Sequence, residues 1–151
     1  MLTVFVFPSG ESTATAARLD RLMPGQDGYW TDEKLMVDLD DEKCGQLFTD
    51  WEPEDVRLLD SALGYHPTWA LQVNVSGRID GTAEIRSFLS HILHAGGVAI
   101  DDYSDHCWTL EEIDSEHKVD GLGFFDFRTH YERTHGRQPR TSARARSEGE
   151  V

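Results

Sequence analysis

The sequence predicts an α+β fold with a single small sheet, helices packed mainly on one face of that sheet, and a disordered C-terminal tail. Segments of alternating apolar residues follow one another along the chain with segments of helical period between them. Residues 68–102 give the order strand, helix, strand, which is typical of a parallel crossover unit. After Tyr131 no periodic apolar residues remain, so we expect an acidic α+β domain at 1–130 and a disordered basic tail at 131–151.

The first part of the chain predicts two strands and a helix. Residues 2–7, LTVFVF, are apolar on both alternating faces, which favours an interior strand. Residues 12–23, STATAARLDRLM, predict a helix with Ser12 as its N-cap. We expect residues 26–32 to be a loop and residues 34–39, KLMVDL, to be a second strand.

A second helix is predicted in WEPEDVRLLDSALG, because both of its ends carry boundary signals. Pro53 stands at the first helical position, and Glu54 and Asp55 lie in the first turn, at the positive end of the helix dipole. Gly64 follows the last turn, where a left-handed residue commonly ends a helix. Trp51, just before the helix, is expected to have a packing role.

The second half predicts two further strands with a helix between them. Residues 68–76, TWALQVNVS, alternate strictly, so one face is apolar and the other is wet or faces an interface. Asp80 is expected to cap the helix TAEIRSFLSHILHA, which Gly96 and Gly97 end. GVAID then predicts a short strand.

The last predicted elements are a short helix and a closing strand. Thr109 and Glu112 have the spacing of a capping box, and residues 121–127, GLGFFDF, indicate the strand. This order of elements does not select one topology. A ferredoxin-like arrangement is one member of the set that it allows.

Acidic residues dominate the composition, with 28 Asp and Glu against 14 Lys and Arg, for a net charge of −14. The charge is uneven, since residues 1–132 carry −17 and residues 133–151 carry +3. Such a body repels phosphate backbones, which disfavours direct nucleic-acid binding and attracts basic protein partners. The same charge would also serve solubility alone.

The sequence predicts a cytoplasmic protein without a membrane interaction. It has no run of about 18 apolar residues and begins without the basic and apolar regions of a signal peptide. Cys44 and Cys107 form no CxxC pair, so free thiols are expected. Eleven arginines against three lysines favour a GC-rich bacterial genome or that of its phage.

Residues 91–114 concentrate side chains that could hold a metal, yet no metal site is predicted. His91 and His94 lie off the apolar stripe of their helix and are expected to face outward. A calcium loop at 101–112 fails because Tyr103 and His106 stand at positions that need a ligand and a glycine. His106 and Cys107 are adjacent, which does not suit zinc. The sequence therefore predicts no cofactor.

An enzymatic or ligand-binding site is the alternative function for this stretch. Asp101, Asp102, Asp105 and His106 lie at the end of the strand near residue 100, where an Asp–His pair could act as an oriented base. No serine or cysteine nucleophile motif accompanies them. The same residues could instead form a polar turn whose carboxylates accept backbone N–H groups.

The function that the sequence favours is a non-catalytic acidic binding protein that sequesters or inhibits a basic macromolecular partner. An immunity or inhibitor protein against a nuclease, or against another nucleic-acid-binding protein, is the most concrete form of this hypothesis. Carboxylates beside aromatic rings suit such an interface, and Trp30 is the tryptophan expected to be exposed. The predicted partner-binding residues are Trp30, Asp38, Asp40, Asp41, Glu42, Asp101, Asp102, Tyr103, Asp105 and His106.

Overall fold

The computed structural model describes residues 3–26, 28–41, 47–49, 51–76, 80–101 and 106–126. This part of the chain has an α+β fold with one open, six-stranded antiparallel sheet and four helices. The elements in chain order are β1 (Thr3–Pro8), α1 (Ser12–Leu22), β2 (Gly25–Gln26), β3 (Tyr29–Thr31), β4 (Leu35–Asp41), α2 (Pro53–Leu63), β5 (Trp69–Val75), α3 (Thr82–Ile92), β6 (Gly97–Asp101) and α4 (Leu110–Asp114).

The strand order in the sheet is β2-β3-β4-β5-β1-β6. Strand β1 pairs antiparallel with both β5 and β6, so the prediction of an interior first strand is confirmed. Because β5 and β6 are both antiparallel to β1, they run parallel to each other, and α3 connects them. The predicted crossover unit is therefore present in a split form, with β1 between its two strands.

The main core lies on the face of the sheet that α1, α3 and α4 cover. Strand residues one apart point to opposite faces, and this face receives the even-numbered residues of β1 and the odd-numbered residues of β4 and β5. Its fully buried strand residues include Val4, Val6, Val37, Leu71 and Val73. Helix residues that pack against them include Leu19, Ile85, Leu89 and Ile113.

The opposite face is covered by α2 and by the residues just before it. Trp51 forms edge-to-face contacts with Phe5 and Phe7, at ring-centroid distances of 5.3 and 5.9 Å, and with Phe48 at 5.3 Å. The packing role predicted for Trp51 is thereby confirmed. Leu59 of α2 completes this second, smaller core.

Local end signals placed several helices correctly. Helix α2 begins at Pro53, and its C-cap Gly64 has φ 85°. For α3 the predicted ends are not exact: the N-cap is Gly81 rather than Asp80, although Asp80 Oδ2 accepts the backbone N–H of Thr82 over 3.2 Å, and the helix ends at Ile92, before Gly96 and Gly97. The capping box of Thr109 at the start of α4 is present.

Three other expectations about local structure are wrong. Residues 26–32 are not a loop, because Gly25–Gln26 and Tyr29–Thr31 form a hairpin whose strands are too short to show an alternating pattern. Helix α1 has Glu11 rather than Ser12 as its N-cap, without a side-chain capping bond. Residues 121–126 form turns and one isolated bridge rather than a strand, and Gly121 has φ 82°.

No helix in the described ranges is long and apolar enough to span a membrane. Cys44 and the predicted tail at 131–151 lie outside the described residues.

Candidate binding surface

Two carboxylates of β4 lie on the face of the second core, where Asp40 pairs with Ala70, a member of that core. Leu35 and Val37 point into the main core, so Asp38 and Asp40 extend from the opposite face. The described members of the second core come from β1, β5, β6, α2 and the segment before α2, and none comes from β3 or β4. Both carboxylates are half-buried.

The neighbouring strands supply one aromatic ring and one amide beside Asp38. In the sheet register Asp38 stands between Tyr29 of β3 and Gln72 of β5. Cross-strand neighbours of this kind have Cβ atoms about 5 Å apart. Tyr29 is 40% exposed, so its ring is available beside the charge of Asp38.

The two carboxylates have raised pKa values. Burial raises the pKa of Asp38 above its ordinary value. Burial also raises the pKa of Asp40, and the negative charges of Asp38 and Asp41 raise it further. The charged forms of Asp38 and Asp40 are therefore held at a cost in free energy, which a nearby cation would reduce.

Asp41 follows Asp40 in β4, so its side chain alternates to the other face of the sheet, where it lines a cavity at the end of the sheet. It is the last residue of β4 and pairs with Trp69, the first residue of β5. A cavity of about 540 Å³ opens there, and its lining includes Glu11, Asp41, Tyr65 and Trp69. Two carboxylates and two aromatic rings around one concave space suit an ammonium or guanidinium group. We call four side chains the acidic surface: Asp38, Asp40 and Tyr29 on one face of the sheet, and Asp41 at the end of β4.

Trp30 and Asp101 do not lie at any described surface. Trp30 is only 3% exposed, faces the main core opposite Val37, and donates from Nε1 to Asp20 Oδ1 over 2.9 Å. The expectation that it is exposed is wrong. Asp101 is 2% exposed and pairs with Val4 in the sheet, so it cannot contact a partner from this position.

His106 takes Glu112 as its carboxylate partner. His106 lies two residues before Trp108, which forms an isolated antiparallel bridge with Ala99 of β6. His106 Nε2 lies 3.1 Å from Glu112 Oε1, and its ring is 4.6 Å from that of Trp108. An oriented His–carboxylate pair therefore exists, and its carboxylate is that of Glu112 in α4.

Several interactions lower the pKa of Glu112. Partial burial raises it, but the hydrogen bond from the Thr109 backbone N–H, the hydrogen bond from His106 and the charges of His106 and His117 act in the other direction. The pKa is consequently below its ordinary value. Glu112 thus closes the capping box of α4 and holds His106 with the same oxygen.

The remaining predicted residues divide into two groups. His91 and His94 are exposed, which confirms that they face outward. Four predicted partner-binding residues lie outside the described residues: Glu42, Asp102, Tyr103 and Asp105. Within the described ranges, no group of three or more His, Cys, Asp or Glu side chains could hold a metal ion.

Sequence reasoning missed the residues that join the acidic surface from other elements. For Gln72 the sequence did carry a signal, because the alternation of residues 68–76 places it on the face that was predicted to be wet or to face an interface. Glu11 and Tyr65 had no such signal, since only the chain topology brings them to the cavity beside Asp41.

No protein-family model, no curated protein and no solved structure matches this chain.

Proposed function

We propose that this protein is a non-catalytic acidic binding protein that sequesters or inhibits a basic macromolecular partner through its acidic surface. An inhibitor or immunity type of protein, directed at a nuclease or another nucleic-acid-binding protein, is the form that we favour. Such a partner presents lysines and arginines to phosphate groups, and carboxylates can occupy the same positions.

The observation that carries this proposal is the pair of raised pKa values at Asp38 and Asp40 of β4. Asp38 and Asp40 repel each other and are partly desolvated, so their charges destabilise the isolated fold. Perturbed carboxylates at a surface are typical of functional sites. A cationic partner would supply the missing counter-charge, and part of the binding free energy would come from relief of this repulsion.

The surroundings of the carboxylates favour a protein partner. Tyr29 gives an exposed ring beside Asp38, and tyrosine is enriched in protein interfaces. The cavity at Asp41 can accept one lysine or arginine side chain between its carboxylates and the rings of Tyr65 and Trp69. The net charge of −14 would also accelerate encounter with a basic protein.

We also propose that the sheet is an elaborated ferredoxin-like arrangement. The strands β4-β5-β1-β6 are neighbours in that order, and α1 and α3 each follow a strand and pack on the same face. This corresponds to the split β-α-β pattern of that fold. Helix α2 and the hairpin of β2 and β3 would then be additions, and the hairpin extends the sheet beside the acidic surface.

Carboxyl titration by NMR tests the binding proposal. The pKa values of Asp38 and Asp40 are measured in the full chain with and without a short arginine-rich peptide, with Glu111 of α4 as the control carboxyl. We expect the peptide to lower the pKa of both aspartates because a nearby cation favours the charged form. Equal shifts at Glu111, or no shift at either aspartate, would contradict the proposal.

A further inference from the structure

A groove between α1 and α3 has the opposite charge to the rest of the molecule. It has a volume of about 440 Å³, and its lining residues are Arg18, Arg21, Leu22, Ser90, His91 and His94. None of these residues is acidic. The structure describes six lysines and arginines in a chain of net charge −14, and two of the six line this groove.

Arg18 is held in position by the end of α3. Its Nη1 donates to the carbonyl oxygen of His91 over 3.0 Å and lies 3.1 Å from Nδ1 of His94. The His91 carbonyl belongs to the last turn of α3, where a cation interacts favourably with the helix dipole. The guanidinium is therefore oriented before any ligand binds, which reduces the entropy that binding would cost.

The bond to Arg18 also determines the tautomer of His94. A guanidinium group can only donate, so Nδ1 of His94 must accept and the proton of the neutral ring lies on Nε2. His94 therefore contributes a second donor to the groove. Within the described ranges, no carboxylate forms an ion pair with Arg18 or with Arg21.

An apolar side chain lies beside these donors. Leu22 is 36% exposed, which is high for a large apolar residue at the end of a core helix. It lines both this groove and an adjoining cavity that Met23 and Phe88 also line. A ligand with an anionic end and an apolar group would contact both kinds of surface.

We propose that this groove binds a small oxyanion, a phosphate or a carboxylate, that carries an apolar group. Arg18, Arg21 and the Nε2 of His94 bind the anion, and the apolar group covers Leu22. The groove lies on the side of the sheet that α1 and α3 cover, whereas Asp38 and Asp40 extend from the opposite side. The site is thus independent of the proposed binding of a basic partner.

Three probes test this site in the full chain by NMR titration: phenyl phosphate, benzoate and inorganic phosphate. We expect saturable chemical-shift changes at Arg21 and His94 with phenyl phosphate or benzoate. The probe that binds with the lower dissociation constant identifies the anion as a phosphate or a carboxylate. Inorganic phosphate should bind more weakly than phenyl phosphate, because it cannot cover Leu22. The same order is expected for any increase in melting temperature.

A matched pair of variants locates the binding. Arg21→Gln should weaken binding about tenfold, as expected when one charge-assisted hydrogen bond is lost. Arg57→Gln removes the same charge from an exposed position on α2 and should leave the affinity within about twofold. Equal losses in both variants, tighter binding of inorganic phosphate than of phenyl phosphate, or no saturable shift with any probe would overturn the proposal.

Discussion

Asp38 raises the pKa of Asp40, which lies two residues further along the same face of β4. The strand period places both carboxylates on one side of the sheet. A stable fold has no need of two like charges at this spacing. Their presence is explained if a cationic partner uses them.

Replacing Asp40 by Asn is expected to stabilise the isolated protein at neutral pH. The raised pKa means that the folded state holds the Asp40 proton more tightly than the unfolded state does, so stability falls as pH rises from the unfolded pKa through the folded one. We expect a gain of a few tenths of a kcal/mol at about pH 7 and none at about pH 3.

Thermal unfolding at the two pH values measures this effect, with Glu111→Gln as the control for net charge. Glu111 is exposed on α4, and its replacement removes the same charge. If Asp40→Asn increases the stability of the protein at neutral pH no more than Glu111→Gln does, the repulsion between Asp38 and Asp40 does not affect stability.

The hydrogen bond between Trp30 and Asp20 is expected to stabilise the hairpin against α1. Trp30 Nε1 donates to Asp20 Oδ1 over 2.9 Å, and Asp20 lies on α1. Trp30→Phe and Asp20→Ala should each destabilise the protein, and their double-mutant cycle should give a coupling energy of about 1 kcal/mol. Urea unfolding measures it, and additive effects would show that the bond contributes nothing.

The burial of Trp30 shows why part of the fold could not be predicted. The helices α2 and α4 were placed correctly because Pro53, Gly64 and Thr109 act within one helical turn. Strands of two or three residues carry no readable alternation, so the hairpin was taken for a loop and Trp30 for an exposed residue. Its burial depends on pairing with β4, which is a non-local contact.

The cap of α4 should be sensitive to one hydroxyl group. Thr109 Oγ1 accepts the backbone N–H of Glu112 over 3.1 Å. Thr109→Ala should lower the free energy of unfolding by about 1 kcal/mol, whereas Thr109→Ser should retain most of it. Chemical denaturation of both variants tests this, and equal losses would mean that the methyl group, not the hydroxyl group, is important.

Glu112→Gln should have the opposite pH dependence to Asp40→Asn. The lowered pKa of Glu112 means that its charge stabilises the fold above the unfolded pKa, and this stability is lost as pH falls through the folded pKa. Because glutamine can still complete the capping box, the variant isolates the charge. We expect it to be less stable than the wild type at about pH 7 and equal to it at about pH 3. Thermal unfolding at the two pH values measures this, and a loss of stability that persists in acid would contradict the prediction.

The candidate site, like the fold, could be predicted from the sequence only where its residues are close together in the chain. The cluster of Asp38, Asp40 and Asp41 was visible because the three residues are close in the sequence. The cavity was not, since Glu11 and Tyr65 reach Asp41 only through the order of the strands. The burial of Asp101 was not predicted, because it depends on the pairing of β6 with β1, which is a non-local contact.

The central claim is that the acidic surface attracts a cationic partner, and its most direct test uses two triple variants of equal charge. One replaces the three aspartates of the acidic surface by asparagine. The other removes three exposed carboxylates of α4 and the turn after it: Glu111→Gln, Asp114→Asn and Glu116→Gln. Circular dichroism verifies that both variants fold.

The measurement is the association rate of each full-length protein with a basic ribonuclease, by stopped-flow fluorescence, at about 0.05 M and about 0.5 M salt. We predict that the aspartate variant associates about tenfold more slowly than the wild type at low salt and loses most of the salt dependence, because charge steering acts mainly on this rate. The α4 variant should stay within about twofold of the wild type. Equal rates and equal salt dependence in the two variants would contradict the claim.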